Sequence, residues 1–600
     1  MLQGAIWCTL AGLGALCRAA QVPLATSHAG PQLSGSTGKA SDKGRLLPFD
    51  KPHYTTGYLP VDHDHDALAG WGLDDPPNVN STSHLIFETV SSLLQHWPNT
   101  RMRNGHNIVP GTIPPGTLLY HGTWHSDLPP GPEWTATDPE HSMLFCRNTV
   151  GEDGCWHLTL MTTRTLKVVY FDGSSAAKVP FGSMDTQDVI AWGAVRPDWA
   201  YEEGGRIKAL CEWGRKYDVD GFVRMEMDFE VMLCDFTSGV RIVSSLVLAK
   251  PGTSSKASSM SEVMYAGSWH NRYPGESRIQ LDLSGLVSFY DTELVPSLVP
   301  ARFGKERWDH RLLNISEGDL ARARARLEDF LSRPADRSSS GIDWLTLIRV
   351  VVDRYSERLE IVRYLLNSTS SDTADSARTM DVAIKTQVQL RNMLAPYILF
   401  DVIPPSTVFK TEERESGELD WVRPVFRLCA TTHTGMLESD TMTSSERLLL
   451  DAVQGTTREI CRVVTKMWGL GVLVGVDQSM GTDRKSDVGT IQNMTKTWKR
   501  DIDELMVWLD WNAWVNCRPT CGPEEMCYLT TWPIGFPKRD RPRPPKHRDP
   551  VPPSLSHPLV NGAPVPTRPP RGDGPPRGEP AEDWERPQPR CVRRIDPYTI

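Results

Sequence analysis

Charge of one sign is scarce in this chain: 65 Lys and Arg stand against 74 Asp and Glu, leaving −9 over 600 residues. That is too mild for a general binder of nucleic acid or anionic membrane, so no nucleic-acid partner is expected. Long apolar runs are missing past the first residues. Even WGLGVLVGV, Trp468 to Val476, is far too short to cross a bilayer. There is no Gly-x-Ser-x-Gly elbow, no His-Glu-x-x-His helix and no phosphate-binding P-loop, which removes the serine-hydrolase, zincin and P-loop readings. The paired Cys-x-x-Cys of a structural zinc site is also lacking, and no metal is expected. Heptads are not sustained, so a coiled coil is not favoured.

Several features that are present point to secretion. MLQGAIWCTLAGLGALCRAAQ is apolar from about Ala5 to Cys17, with no Lys or Arg before the run and small residues after it. Cleavage after Ala19 fits a secretory signal over residues 1–19. Cys8 and Cys17 would leave with it, and an even set remains: Cys146, Cys155, Cys211, Cys234, Cys429, Cys461, Cys517, Cys521, Cys527 and Cys591. An even set is what disulfides in an oxidising compartment give. Glycosylation sequons at Asn80, Asn314, Asn367 and Asn493 agree. The expectation is an extracellular, disulfide-bonded glycoprotein.

With 39% hydrophobic residues the chain has material for a full core and more than one domain. Residues 20–80, rich in Gly, Ser, Pro and His, read as a flexible arm. In it, His63-Asp64-His65-Asp66 reads as a solvated turn, because adjacent ligands in a loop rarely close a metal site. Ser83 to Trp97 shows helical spacing behind a Ser cap. From Gly111 to Leu248 the runs TLLYHG, CWHLTLMT, LKVVYFDG, DGFVRM, FEVMLCDF and VRIVSSLVLA read as strands. Helical patterns interrupt them at DPEHSMLFC and GGRIKALCEWGRKY, and Ile279 to Asp291 adds one or two strands. The spacing predicts an α+β module over 81–299.

A mainly helical domain is expected over 300–536. Its clearest stripe runs Trp344, Leu345, Ile348, Val351, Val352, Tyr355, Leu359, Val362, Leu365 and Leu366, closed by Asn367 and Ser368. Cys517, Cys521 and Cys527 lie among tryptophans and read as a disulfide-stapled knob. Residues 537–600 are basic and Pro-rich, and are expected to be a disordered tail. Solvated linker is the default there, with anionic polysaccharide or a membrane surface as the partner its charge suits. Arg571-Gly572-Asp573 is a three-residue coincidence on that reading.

The chemistry sits in Leu118 to Cys146. Tyr120-His121-Gly122-Thr123 closes an apolar strand, and Trp134-Thr-Ala136-Thr-Asp138 follows a Pro/Gly loop and opens a helical segment that reaches Phe145. Far downstream, Glu230 lies in Phe229-Glu230-Val-Met-Leu. This ordered set, over about 111–248, resembles the His-Tyr-Glu branch of the ADP-ribosyltransferase superfamily. The resemblance implies that family's mixed β module, NAD as substrate, and transfer of ADP-ribose to a protein or small-molecule acceptor or to water. It assigns Glu230 the catalytic role, and His121, Gly122, Thr123, Trp134 and Phe145 the holding of NAD.

The residue types suit that chemistry. Positive charge develops on the ribose as nicotinamide leaves, and a fixed carboxylate stabilises it. A strand-end His can hydrogen-bond a ribose hydroxyl, and the Gly after it lets backbone groups come close. Trp134 and Phe145 stand where the family usually has tyrosines: they supply a stacking face without a phenolic hydroxyl. Each residue also has a plainer reading. His121 caps a turn, Trp134 fills a core, and Glu230 alternates to solvent against Phe229, Val231 and Leu233. Asp185, Asp188, Asp218, Asp220 and Asp228 offer further carboxylates, with no pairing legible in the sequence. The alternative function is a non-catalytic secreted or cell-surface binding protein that reuses the fold.

Overall fold

Short Val-, Ile-, Leu- and Phe-rich runs build the centre of the molecule. In the computed structural model, which describes residues 70–146, 154–178, 182–225, 227–250, 260–333, 339–368, 376–399, 419–477, 487–529 and 587–596, they form one ten-stranded mixed sheet. Its strands are β1 (Asn107–Ile113), β2 (Leu118–Thr123), β3 (Glu133–Ala136), β4 (Cys155–Thr162) and β5 (Leu166–Phe171). They continue with β6 (Gly221–Met225), β7 (Phe229–Leu233), β8 (Val240–Ala249), β9 (Gln280–Leu281) and β10 (Val287–Ser288). The order is β10-β1-β5-β6-β7-β3-β2-β4-β8, with β9 on β1. Only the β5–β6 pairing is parallel.

Helices α1 (Ser83–Ser91) and α2 (Trp97–Thr100) precede β1, and α3 (Pro139–Ser142) follows β3. The parallel crossover from β5 to β6 carries α4 (Asp185–Trp192) and α5 (Glu203–Gly214). Next come α6 (Met260–Gly267), α7 (Leu298–Arg302), α8 (Glu317–Ser332) and α9 (Trp344–Asn367). The remaining helices are α10 (Ser376–Leu394), α11 (Arg423–Thr431), α12 (Ser444–Val474) and α13 (Val488–Leu509). β11 (Glu525–Leu529) and β12 (Pro589–Arg593) form a separate two-stranded sheet. The protein is α+β.

Strand alternation splits the side chains between two cores. Val109, Val168, Val223 and Val231 belong to an apolar cluster that includes α1 and continues into α9–α13. Their chain neighbours Ile108, Val169, Phe222 and Met232 pack instead with residues of α4, α5 and α8. Residue 300 is therefore no seam in the packing. The Thr443 and Ser445 hydroxyls at the head of α12 donate to the carbonyls of Ser284 and Leu286, at 2.9 and 2.6 Å, joining the two expected domains directly.

The helical stripes behave as their periodicity requires. α9 buries Trp344, Ile348, Val351, Val352, Tyr355, Leu359, Val362 and Leu366, and the Asp343 carboxylate caps it by accepting from the Thr346 N–H. α12 opens on a capping box, Thr443 with Glu446, and ends at Gly475 in the left-handed region. α1 is shorter than expected. Thr82 rather than Ser83 is its N-cap, and the helix stops at Ser91, three residues before Leu94 turns to a φ of 60°.

The expected tail is corrected at its far end: β12 pairs with β11, and Cys591 is bonded to Cys521. Composition argues against a core there, but the disulfide and a small apolar cluster, in which Val592 packs with Tyr528, Met227, Val263 and Met264, fix the segment. All ten cysteines of the expected mature chain are paired, as Cys146–Cys155, Cys211–Cys234, Cys429–Cys461, Cys517–Cys527 and Cys521–Cys591. The four sequon asparagines, Asn80, Asn314, Asn367 and Asn493, are exposed. The signal at 1–19, most of the arm, His63–Asp66 and Arg571–Asp573 lie outside the described residues.

Candidate active site

The sheet is nearly two sheets. β2 pairs with β4 through six residues and β3 with β7 through four, but β2 meets β3 only at Tyr120 and Ala136. Past that one pair a cleft of about 960 Å³ opens, with His121, Gly122 and Thr123 on one side and Glu133 and Trp134 on the other. His121 bridges the gap: its Nδ1 lies 2.7 Å from the Trp134 carbonyl oxygen. A carbonyl only accepts, so Nδ1 carries the proton and Nε2 is left as a bare acceptor. Burial lowers the imidazole pKa to about 4, so the ring is neutral at pH 7.

Glu230 also lines the cleft. The solvent-facing reading of its strand is corrected, because β7 is buried on both faces and Glu230 is 1% exposed. Met232, on the side where solvent was expected, packs against the α4–α5 layer. Each carboxylate oxygen of Glu230 has a buried partner. The Arg224 Nε donates to Oε2 at 2.8 Å, and His141 Nε2 lies 3.3 Å from Oε1. Arg224 reaches on to Glu203 at 2.5 Å, Glu203 pairs with Arg206, and Arg206 meets Asp188 at 3.2 Å. The result is a buried line of alternating charge. Burial opposes ionisation of Glu203, but Arg224, Lys178 and Arg206 outweigh it and hold its carboxyl below the usual range.

Trp134 is half-buried. Its ring lies 5.9 Å from the Arg224 guanidinium carbon, and its buried Nε1–H has no hydrogen-bond partner among the described residues. Phe145 is half-buried in the same wall, near His121 and edge-on to His141. Gly122 has a steric reason of its own: a Cβ there would meet the Ser142 carbonyl oxygen at 2.1 Å. Its glycine is required by close packing of β2 on α3, whatever the cleft holds. Thr123 lines the rim, where its Oγ1 accepts from the His125 N–H at 3.4 Å. All six residues singled out in the sequence meet in this one cleft.

Sequence reasoning missed Arg224, Glu203, Lys178 and His141. Arg224 did leave a signal, as the one charged residue in the strand Gly221–Met225. Burying it there is costly without carboxylate partners. A second cavity, about 1010 Å³, lies between α1, α9 and the β11 sheet. It is lined by Glu88, whose carboxyl burial pushes up to about 7. None of the six candidate NAD-site residues lines it, whereas Cys517, Cys521 and Cys527 of the expected knob do.

The family model of the YPL277C N-terminal domain matches residues 77–155 and 151–270. That stretch holds every cleft residue named above. An uncharacterized protein of Saccharomyces cerevisiae, YPL277C, is 29% identical over 270 residues, covering 37% of this chain and 53% of its own length. The chain thus spans about half of that relative. A second uncharacterized protein from the same yeast, YOR389W, is 25% identical over 555 residues, covering 76% of this chain and 82% of its own. No solved structure matches the chain.

Proposed function

We propose that the cleft between β2 and β3 binds NAD, and that this secreted protein breaks the N-glycosidic bond to nicotinamide, passing ADP-ribose to an acceptor or to water. One observation carries the reading: His121, Trp134 and Glu230, separated by up to 109 positions in sequence, line a single cleft. A cavity of about 960 Å³ lies within the range of about 300–1,000 Å³ usual for ligand clefts. The bare Nε2 of His121 accepts from a ribose hydroxyl. The half-buried Trp134 ring offers a stacking face for nicotinamide. The bonding pair leaves with neutral nicotinamide, and the Glu230 carboxylate stabilises the cation that remains on the ribose until a hydroxyl nucleophile adds and gives up its proton to solvent. No step draws on a metal.

The second reading is a non-catalytic NAD-binding protein. It draws on the two buried partners of the Glu230 carboxylate, which satisfy much of its charge before any substrate arrives. Full-length protein purified from a secretory host and incubated with NAD separates the two. Nicotinamide release by wild type, lost in Glu230→Gln, supports catalysis. Binding without release supports the second reading, and the absence of both removes NAD from the account.

A further inference from the structure

Behind the cleft lies a buried cluster that the NAD reading does not use. Asp138 is the N-cap residue of α3 yet makes no capping hydrogen bond, Asp228 lies just before β7, His270 follows α6, and Glu276 lies between α6 and β9. His270, Asp228 and Glu276 are 0–1% exposed and Asp138 9%. The carboxylates converge on one imidazole nitrogen: from His270 Nε2 it is 3.2 Å to Asp138 Oδ2, 3.5 Å to Glu276 Oε2 and 3.8 Å to Asp228 Oδ1. The donor atoms of Asp138, Asp228 and His270 all lie within 4.8 Å of one another.

Cations are scarce here. Among the described residues, Arg278 is the one guanidinium paired with the cluster. It takes Glu276 in a fork, at 2.7 and 2.5 Å, and reaches the outer oxygen of Asp138 at 3.3 Å. Asp138 and Glu276 thus share one guanidinium, and Asp228 pairs with none among the described residues. One imidazole N–H can bond only one of them, and 3.8 Å is too long for a hydrogen bond. Asp228 Oδ2 is the independent sign that a ligand belongs here: on a fully buried side chain whose Oδ1 accepts from the Phe229 N–H at 2.8 Å, it meets no N–H or hydroxyl donor among the described residues, only the Asp138 carboxyl. Buried charge left in that state is costly, and burial is tolerated where the charge is paired or coordinates a metal.

The geometry points to a divalent first-row metal site, for Zn²⁺ or Mn²⁺, formed by Asp138, Asp228 and His270 with Glu276 as a fourth donor. Donors of a tetrahedral site with bonds of about 2.0–2.2 Å stand about 3.3–3.6 Å apart. The separations of 3.2, 3.5 and 3.8 Å fall around that span. A donor set of carboxylates with one imidazole favours a first-row ion over Ca²⁺ or Mg²⁺, which take oxygen alone. The bound ion would tie the start of α3 to the turn before β7. α3 carries His141 and β7 carries Glu230, so the site braces the cleft floor from behind and touches no substrate.

The test begins with wild-type full-length protein, stripped by chelation and dialysed. Titration calorimetry with Zn²⁺ and with Mn²⁺ is expected to show one ion bound per chain and a rise in melting temperature. Asp228→Asn, checked for folding by circular dichroism, is expected to weaken that binding by at least about tenfold, and Asp220→Asn, remote from the cluster, to leave it unchanged. Stripped wild type that binds neither ion would overturn the proposal, as would preference for Ca²⁺ or Mg²⁺, or binding that survives in Asp228→Asn. If neither ion binds, a proton shared between Asp138 and Asp228 is what holds the cluster together. Should Asp228→Asn not fold, His270→Gln takes its place, while the wild-type titration stands on its own.

Discussion

Glu230 and Asp228 stand two residues apart, both fully buried, and their surroundings are opposite. Around Glu230 each oxygen meets a donor, and the charge is passed along through Arg224, Glu203 and Arg206. Around Asp228 one oxygen accepts from the Phe229 N–H, no guanidinium among the described residues pairs with it, and the Asp138 carboxyl lies alongside; burial raises its pKa, with Asp138 adding to the shift. What a buried carboxylate does is set by the nearest opposite charge, more than by depth. Near Glu230 the protein carries its own cations, whereas near Asp228 it leaves room for one from outside.

The contrast can be broken most severely at Arg224. Arg224→Met leaves Glu230 and Glu203 buried without their shared cation, and is expected to cost about 3–5 kcal/mol in urea unfolding. Asp228→Asn in metal-free protein replaces a carboxyl that burial keeps protonated with a neutral amide of the same shape, and is expected to cost less than about 1 kcal/mol. Equal losses for the two variants would erase the distinction.

Glu88 sharpens it from a third position. Burial raises its carboxyl from 4.5 to about 7, against the pull of Arg307 and the Asn512 N–H. The folded state therefore holds the proton more tightly than the unfolded one. The stability this lends is fully present below pH 4.5 and is lost as pH rises through 7, about 3 kcal/mol at most. Unfolding of wild type and Glu88→Gln across pH 4–8 is expected to show that difference in slope, and parallel profiles would refute it.

The smallest effect expected is at His121. Loss of one neutral hydrogen bond in His121→Ala should weaken NAD binding by roughly 3- to 10-fold. Because burial holds the imidazole near pH 4, its part in wild-type binding should be flat from about pH 5.5 to 8. A titration step near pH 6.5 that vanishes in His121→Ala would show the ring to be solvated and protonating.

Features whose physics is local were legible in the sequence. The α9 stripe needs only period 3.6, and β2, β4, β5, β6, β7 and β8 need only a short apolar run between turns. β1 was missed because Pro110 and Gly111 sit inside it, and β3 because its four residues are too few to show alternation. The ordered short motifs carried His121, Trp134 and Glu230 to a common cleft. Arg224 was not assigned because a lone Arg in a strand does not name its partner. The cluster at Asp138, Asp228, His270 and Glu276 was invisible for a stronger reason: its members come from four segments that only the folded chain assembles. The separateness of the helical half was misread, since periodicity shows that a helix buries a face but not what covers it.

The central claim is that one cleft binds NAD while Glu230 acts only on the charge that develops during cleavage. Calorimetric titration of NAD into full-length Glu230→Gln beside wild type tests this most directly. The account predicts dissociation constants within about threefold of each other, because the amide keeps the carboxylate's shape while losing its charge. Wild-type protein that binds no NAD, or a variant that folds normally yet loses binding outright, would contradict it.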